Sequence, residues 1–139
     1  MKPLDLCTER ISEEEFFVEE IKSKVIFRNP DRHQVHKINV DGCVFERGDG
    51  KRCDWLIQVG YTDKSYLVEL KGSDIPSAYL QLIITQEALK ASLKRKRFWI
   101  ISYSGSPRLD GTIQDLVEST RIRYGVRLIV SESPYTHTL

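Results

Sequence analysis

The sequence predicts an α/β fold in which a single central mixed β-sheet is flanked by helices. Three observations support this class. Two strand-like runs, residues 52–57 and 66–72, are separated by a short turn. A helical pattern follows over residues 75–93. Residues 98–103 then form a mostly apolar strand, as expected where both faces of a sheet are covered. The predicted order is an αβββαβ core followed by a C-terminal helix and strand.

The bulk composition indicates one globular domain. The chain has 139 residues, enough for a single domain over residues 1–139. Its 40% hydrophobic and 29% charged residues are typical of a soluble globular protein rather than a disordered one. The formal net charge of +1 counts mildly against a large phosphate-binding surface but permits a local basic patch. No apolar run approaches the ~20 residues of a membrane span, so the cytoplasm is the expected location.

The first element is expected to be a helix. Ser12 and Glu15 fit a capping box, and an apolar stripe that begins at Phe16 supports a helix over residues 13–24. Residues 37–40 then alternate like a strand.

Residues 43–45 are expected to continue this strand, and Gly48-Asp49-Gly50 predicts a hairpin turn after it. Near the end of the chain, a helix is predicted over residues 113–124 and a last strand over residues 126–130. The tail from residue 131 to residue 139 is expected to be loosely held.

The three cysteines, Cys7, Cys43 and Cys53, are odd in number and form no CxxC pair. This usage favours free thiols in a reducing compartment. Cys43 and Cys53 flank the expected hairpin, but two buried thiols are favoured over a disulfide between them.

The residues that carry chemistry are concentrated on the two central strands. Glu69 and Lys71 are two residues apart and therefore project from one face of their strand. If the two strands pair through their short turn, Asp54 comes to lie beside Glu69. Two carboxylates and a lysine then form a candidate Mg²⁺ site with a base or charge stabiliser. An ordinary exposed ion pair is the alternative, but charges inside apolar central strands are costly unless they are paired or metal-bound.

Asp54 on one strand, Glu69-Leu70-Lys71 on the next and a helix after them resemble the PD-(D/E)xK nuclease superfamily. Cys53 stands where that motif usually has a proline. The resemblance implies Mg²⁺-dependent hydrolysis of a nucleic-acid phosphodiester, with Mn²⁺ able to substitute. It implies that Asp54, Glu69 and the carbonyl of Leu70 hold the metal. It also implies that Lys71 acts on the attacking water and the phosphate.

The resemblance also implies supporting residues outside the motif. Many members of the superfamily add an acidic residue from the first helix, for which Glu20 is the first choice and Glu14 or Glu19 are alternatives. Gln81 lies on the helix after the motif, where a glutamine often borders the active site; a surface amide is an equally good interpretation.

A basic cluster near the end of this helix has two interpretations. Its cations either bind nucleic-acid phosphates or complement the dipole at the helix end, with the second slightly favoured. The cluster consists of Lys90, Lys94, Arg95, Lys96 and Arg97, and Arg121, Arg123 and Arg127 are candidates to extend it.

Taken together, the sequence predicts a small DNA endonuclease that acts as a homodimer, because one small domain offers little surface for cutting two strands. A Holliday-junction resolvase-like enzyme is the leading interpretation, since the chain is little more than the core. A small restriction or homing endonuclease follows, and RNA is not excluded as substrate. The rival class is a non-catalytic module that keeps the fold and binds nucleic acid or protein. A coincidental motif in an unrelated structural protein is the third possibility.

Overall fold

The computed structural model describes residues 1–47 and 51–139, which form nine strands and two helices. The helices are α1 (Ile75–Leu89) and α2 (Ile113–Tyr124). The strands are β1 (Thr8–Ile11), β2 (Glu15–Glu20), β3 (Ser23–Arg28), β4 (Val35–Asn39), β5 (Trp55–Val59), β6 (Lys64–Lys71), β7 (Lys96–Tyr103), β8 (Arg127–Glu132) and β9 (Tyr135–Thr138).

Six of these strands form the central sheet, in the order β1-β4-β5-β6-β7-β8. The pairs from β1 through β6 are antiparallel, and those from β6 through β8 are parallel. The predicted α/β class with one central mixed sheet is therefore confirmed. Strand β6 carries Glu69 and Lys71 and lies between β5 and β7, and its six inner residues are buried. The motif thus occupies the centre of the sheet.

The two faces of the central sheet are covered differently. Both helices pack on one face, where Leu82 of α1 joins Leu67 and Trp99 in one hydrophobic cluster. The other face carries a second sheet of order β2-β3-β9, which packs Phe27 against Tyr66. Each face thus removes a continuous apolar surface from water, the main favourable contribution to folding.

The two helices predicted after the central strands are both present. The side chain of Asp74 caps α1 by accepting a hydrogen bond from Ser77 N at 3.2 Å. Helix α1 ends at Leu89, and a short 3-10 turn over Lys90–Ser92 replaces its predicted last turn. Helix α2 ends at Gly125, whose φ of 65° is the left-handed conformation that favours glycine. In the part of the chain that the structure describes, no helix is long and apolar enough to cross a membrane.

The predicted first helix over residues 13–24 is wrong, because this segment is the hairpin of β2 and β3. Phe16 and Val18 are buried whereas Phe17 between them is exposed, so the apolar pattern has the period of a strand. Ile21 is 99% exposed at the hairpin turn. The alternating large apolar residues therefore place this segment in the second sheet, in spite of the helix-capping signal at Ser12.

The C-terminal tail is also more ordered than expected. Its β9 pairs in parallel with β3. The ring of His137 makes hydrogen bonds with the hydroxyls of Tyr135 at 2.9 Å and Tyr66 at 3.3 Å. The tail is therefore a strand of the second sheet rather than a loose end.

The segment after β4 differs from the prediction too. Residues 43–45 do not continue a strand but belong to a turn, closed by a single bridge between Asp41 and Phe45. The predicted hairpin turn at Gly48-Asp49-Gly50 lies outside the described residues.

The prediction of three free thiols is wrong for two of them. Cys7 and Cys43 form a disulfide with Cα atoms 5.8 Å apart, a usual separation for such a bond. Lys2 N donates to Val44 O at 2.9 Å, which holds the N-terminal segment against the Asp41–Phe45 turn and brings the two cysteines together. Cys53 is free and buried.

Candidate active site

The carboxylate of Asp54 is fixed against β6. Asp54 lies immediately before β5, and its N–H donates to Val68 O at 3.1 Å. One of its carboxylate oxygens, Oδ2, accepts a hydrogen bond from Leu70 N at 2.8 Å. Asp54 is thereby held beside the stretch of β6 that carries Glu69 and Lys71.

Glu69 is the most unusual residue of the group, because its side chain is only 2% exposed in the central strand. The Nζ of Lys71 lies 3.9 Å from Glu69 Oε2. Gln81 reaches the pair from α1. With its amide nitrogen facing the carboxylate, Gln81 donates to Glu69 Oε2, and its oxygen accepts from Lys71 Nζ at 3.2 Å. The structure thus brings Asp54, Glu69, Lys71 and Gln81 together.

This environment makes Glu69 a weak acid. Burial, and then the hydrogen bond and negative charge of Asp54, raise the pKa of Glu69 to about 10, while Lys71 acts in the opposite direction. At neutral pH without a metal, Glu69 therefore keeps its proton. A cation that binds here must displace this proton.

A cavity of about 330 Å³ opens beside these residues. It is lined by Glu20, Ile21, Lys22, Asp41, Arg47, Asp54, Leu70, Lys71 and Gly72. Glu69 is not on the wall but lies behind it, next to Lys71. The site therefore has a buried acid and a solvent-accessible chamber with charges of both signs.

Glu20 reaches this cavity from the end of a strand, not from a helix. It is the last residue of β2, at the turn of the hairpin. Partial burial, followed by the charge of Asp54, raises the pKa of Glu20. Neither alternative lines the cavity: Glu14 forms an ion pair with Arg32 at 3.5 Å, and Glu19 is an exposed residue opposite Lys24 in the hairpin.

Two residues that line the cavity, Asp41 and Arg47, were not identified as site residues from the sequence. Burial, and then the charge of Asp54, raise the pKa of Asp41, and Arg47 opposes this shift. Both lie in the turn region after β4. The only sequence signal was a charged residue directly after a strand, at Asp41-Gly42, and nothing local shows that this turn packs beside Asp54.

The donor set fits Mg²⁺ in its chemistry. The pKa values of Glu20, Asp41 and Glu69 are all raised in part by Asp54, and such mutual repulsion of carboxylates is relieved by a bound cation. Among the described residues, no three His, Cys, Asp or Glu side chains are already grouped as ligands. Mg²⁺ does not require such a cage, since it keeps several waters and is usually bound through one or two carboxylates plus substrate phosphates.

Thr85 of α1 supports the site from behind. Its hydroxyl accepts a hydrogen bond from Cys53 N at 2.8 Å and donates to Gln81 O at 2.7 Å. All of these groups are buried. Thr85 thus ties the residue before Asp54 to the helix that carries Gln81.

Replacing Thr85 with Val is expected to lower the free energy of unfolding by about 1–3 kcal/mol, because the buried N–H of Cys53 loses its partner while the volume is kept. Thr85→Ser retains the hydroxyl and serves as the control. Chemical denaturation of the three proteins measures the difference. Equal stability of the Val variant and the native chain would show that this hydrogen bond contributes nothing.

The basic cluster does not lie at this site. Lys96 pairs with Lys64 at one end of β6, whereas Tyr103 pairs with Lys71 at the other. The seven residue steps between them correspond to about 23 Å along β7. Arg97 Nε donates to Lys94 O at 3.1 Å, a backbone carbonyl beyond the end of α1.

Comparison with known proteins adds no relative. No family model matches the chain, and no significant match is found among curated proteins or solved structures.

Proposed function

We propose that this chain is a Mg²⁺-dependent endonuclease that hydrolyses phosphodiester bonds in DNA. The observation that carries the proposal is Glu69, a buried carboxyl in a central strand that lies beside Asp54 and contacts both Lys71 and Gln81 next to an open cavity. A structural role alone gives no reason to bury so poorly ionised an acid, and strongly shifted pKa values are concentrated at functional sites.

Each residue has a role in this proposal. Asp54 and Glu69, with the carbonyl of Leu70, are the residues that would hold the metal, and Mn²⁺ is expected to substitute for Mg²⁺. Glu20 and Asp41 add negative charge at the mouth of the cavity. The metal supplies Lewis-acid stabilisation of charge on the phosphate.

Lys71 places a cation where negative charge develops on the phosphate, in a partly dry site in which charges interact strongly. Its side chain is 30% exposed and reaches both the cavity wall and Glu69. Gln81 orients the Lys71 amine and the Glu69 carboxyl through hydrogen bonds to both. The proposed site is thus ordered from the buried side and open on the other.

The favoured substrate is branched DNA, and the favoured assembly is a homodimer. In residues 1–47 and 51–139, the central sheet and the helices are accompanied by the three-stranded second sheet, which leaves few elements for reading bases. This small number of elements favours a Holliday-junction resolvase-like activity over that of a small restriction or homing endonuclease.

A non-catalytic module of the same fold is the second candidate. The observation in its favour is that the described residues contain no preassembled group of three metal ligands. In such a module the charges around Glu69 would bind a partner or stabilise the fold, and no metal would alter them.

Cleavage of a substrate panel in Mg²⁺ separates these candidates. The panel contains a four-way junction, linear duplex, supercoiled plasmid, single-stranded DNA and RNA. We expect symmetric incision of the junction that stops when a chelator is added. Preference for the linear duplex or plasmid would support the restriction or homing alternative, and preference for RNA would overturn the assignment to DNA. If no substrate in the panel is cleaved with or without Mg²⁺, the result would support the non-catalytic module.

A further inference from the structure

A large cavity lies far from the proposed active site and is strongly basic. Its volume is about 740 Å³, and its wall contains Arg95, Lys96, Arg97, Arg121 and Arg127 without a single acidic residue. Hydrophobic residues such as Val117 and Val126 also line it. For a chain with a net charge of +1, this is a local concentration of positive charge. We call this cavity the basic groove.

Not all of these cations are available to a ligand. Arg95 forms an ion pair with Asp63 at 3.3 Å, and Arg121 forms one with Glu118 at 2.6 Å. Arg97 donates to backbone carbonyls. In residues 1–47 and 51–139, neither Lys96 nor Arg127 has an ion pair or a side-chain hydrogen bond, and both are exposed. These two residues are therefore the cations that remain available to a ligand.

The shape and polarity of the groove indicate what it binds. The two available cations, Lys96 and Arg127, stand on different strands, β7 and β8, so they are separate points of positive charge rather than one enclosed site. The groove also borders Gly125 at the C-terminal end of α2, where the helix dipole is negative and disfavours a single enclosed phosphate. Dispersed side-chain cations suit successive phosphates of a nucleic-acid backbone.

We propose that the basic groove binds the backbone of a DNA duplex arm at a distance from the cleaved bond. This inference rests on the proposed function, because it assumes that the same duplex enters the cavity at Lys71. The groove begins at Lys96, about 23 Å along β7 from the level of Lys71. At 3.4 Å per base pair, the arm must extend about seven base pairs beyond the cleaved bond to reach it.

The test compares the affinity for a hairpin duplex of about 5 base pairs, too short to reach from Lys71 to the groove, with the affinity for a duplex of about 30 base pairs, measured in chelator so that binding is separated from cleavage. The native protein is expected to bind the long duplex at least about tenfold more tightly than the short one. In the double variant Lys96→Gln/Arg127→Gln this difference is expected to decrease to the advantage that a longer duplex has from its larger number of binding registers. The slope of log affinity against log salt for the long duplex is expected to decrease in magnitude by about 1–2.

The matched control is Arg10→Gln/Arg28→Gln, which removes the same net charge from exposed positions on β1 and β3, outside the groove. This variant is expected to keep the length dependence. Equal loss in both double variants would show that only total charge matters and would overturn the inference. Failure of the native protein to bind either duplex would also overturn it.

Two further outcomes separate the possible failures. If the groove variant changes oligomeric state without DNA, as measured by sedimentation, the groove is an interface between copies and the inference is wrong. If groove-dependent binding is seen but no substrate is cut, the binding inference stands and the proposed catalysis fails.

Discussion

Replacing Lys71 with Met is expected to slow Mg²⁺-dependent DNA cleavage by about 10²–10³-fold. The Met side chain keeps most of the apolar stem but removes the ammonium group, which lies 3.9 Å from Glu69 Oε2 and lines the cavity. The backbone anchor is unaffected, since Ser23 Oγ donates to the carbonyl oxygen of Lys71 at 2.6 Å. Single-turnover rates at saturating DNA measure the effect.

Lys64→Met is the matched control, because Lys64 begins the same strand at its opposite end. It is expected to cleave at the native rate. Thermal unfolding of both variants checks that the fold is retained. A folded Lys71→Met protein that cleaves as fast as the native chain would remove Lys71 from the mechanism.

The second large effect concerns stability. In the presence of a chelator, the free energy of unfolding is expected to fall as pH rises from about 4.5 towards about 10, the two pKa values of Glu69 in the unfolded and folded chain. The folded protein holds a proton that the unfolded chain releases above pH 4.5, so each pH unit in this window favours unfolding by roughly 1 kcal/mol. Below this window the contribution of Glu69 is fully present.

Glu69→Gln isolates this contribution, because the amide mimics the protonated acid and does not titrate. The free energy of unfolding of the native protein minus that of the variant is expected to decrease as pH rises. Denaturant unfolding of both proteins at several pH values measures this difference. Mg²⁺ is expected to stabilise the native protein more at high pH than at low pH, since the metal replaces the proton. A difference between the two proteins that does not vary with pH would show that Glu69 is ionised in the folded state.

The central strands were predictable because their signals are local. Alternation places Glu69 and Lys71 on one face from sequence spacing alone, and a short turn after β5 fixes the neighbouring strand. The helix that carries Gln81 was equally clear from its cap and periodicity. These rules therefore predicted the elements from β4 to β8 in their order, together with the core of the candidate site.

The rest depended on contacts between distant segments. Residues 13–24 carry both a capping signal and an alternating pattern, and only the underlying face of β6 and β7 selects the hairpin. Glu20 was therefore chosen as a helix residue yet reaches the cavity from a strand. Asp41 and Arg47 approach Asp54 through the turn that the Cys7–Cys43 disulfide anchors, and no spacing rule connects Cys7 with Cys43.

The most direct test of the proposed function is the rate of DNA cleavage over a Mg²⁺ titration for the native protein and Asp54→Asn. The Asn side chain retains an oxygen for the N–H of Leu70 but removes the negative charge that lies beside Glu69. The proposal predicts no cleavage in chelator, a rise to a plateau with Mg²⁺, and a rate at least about 100-fold lower for the variant. Cleavage that persists in chelator, or a folded variant that cleaves like the native protein, would contradict it.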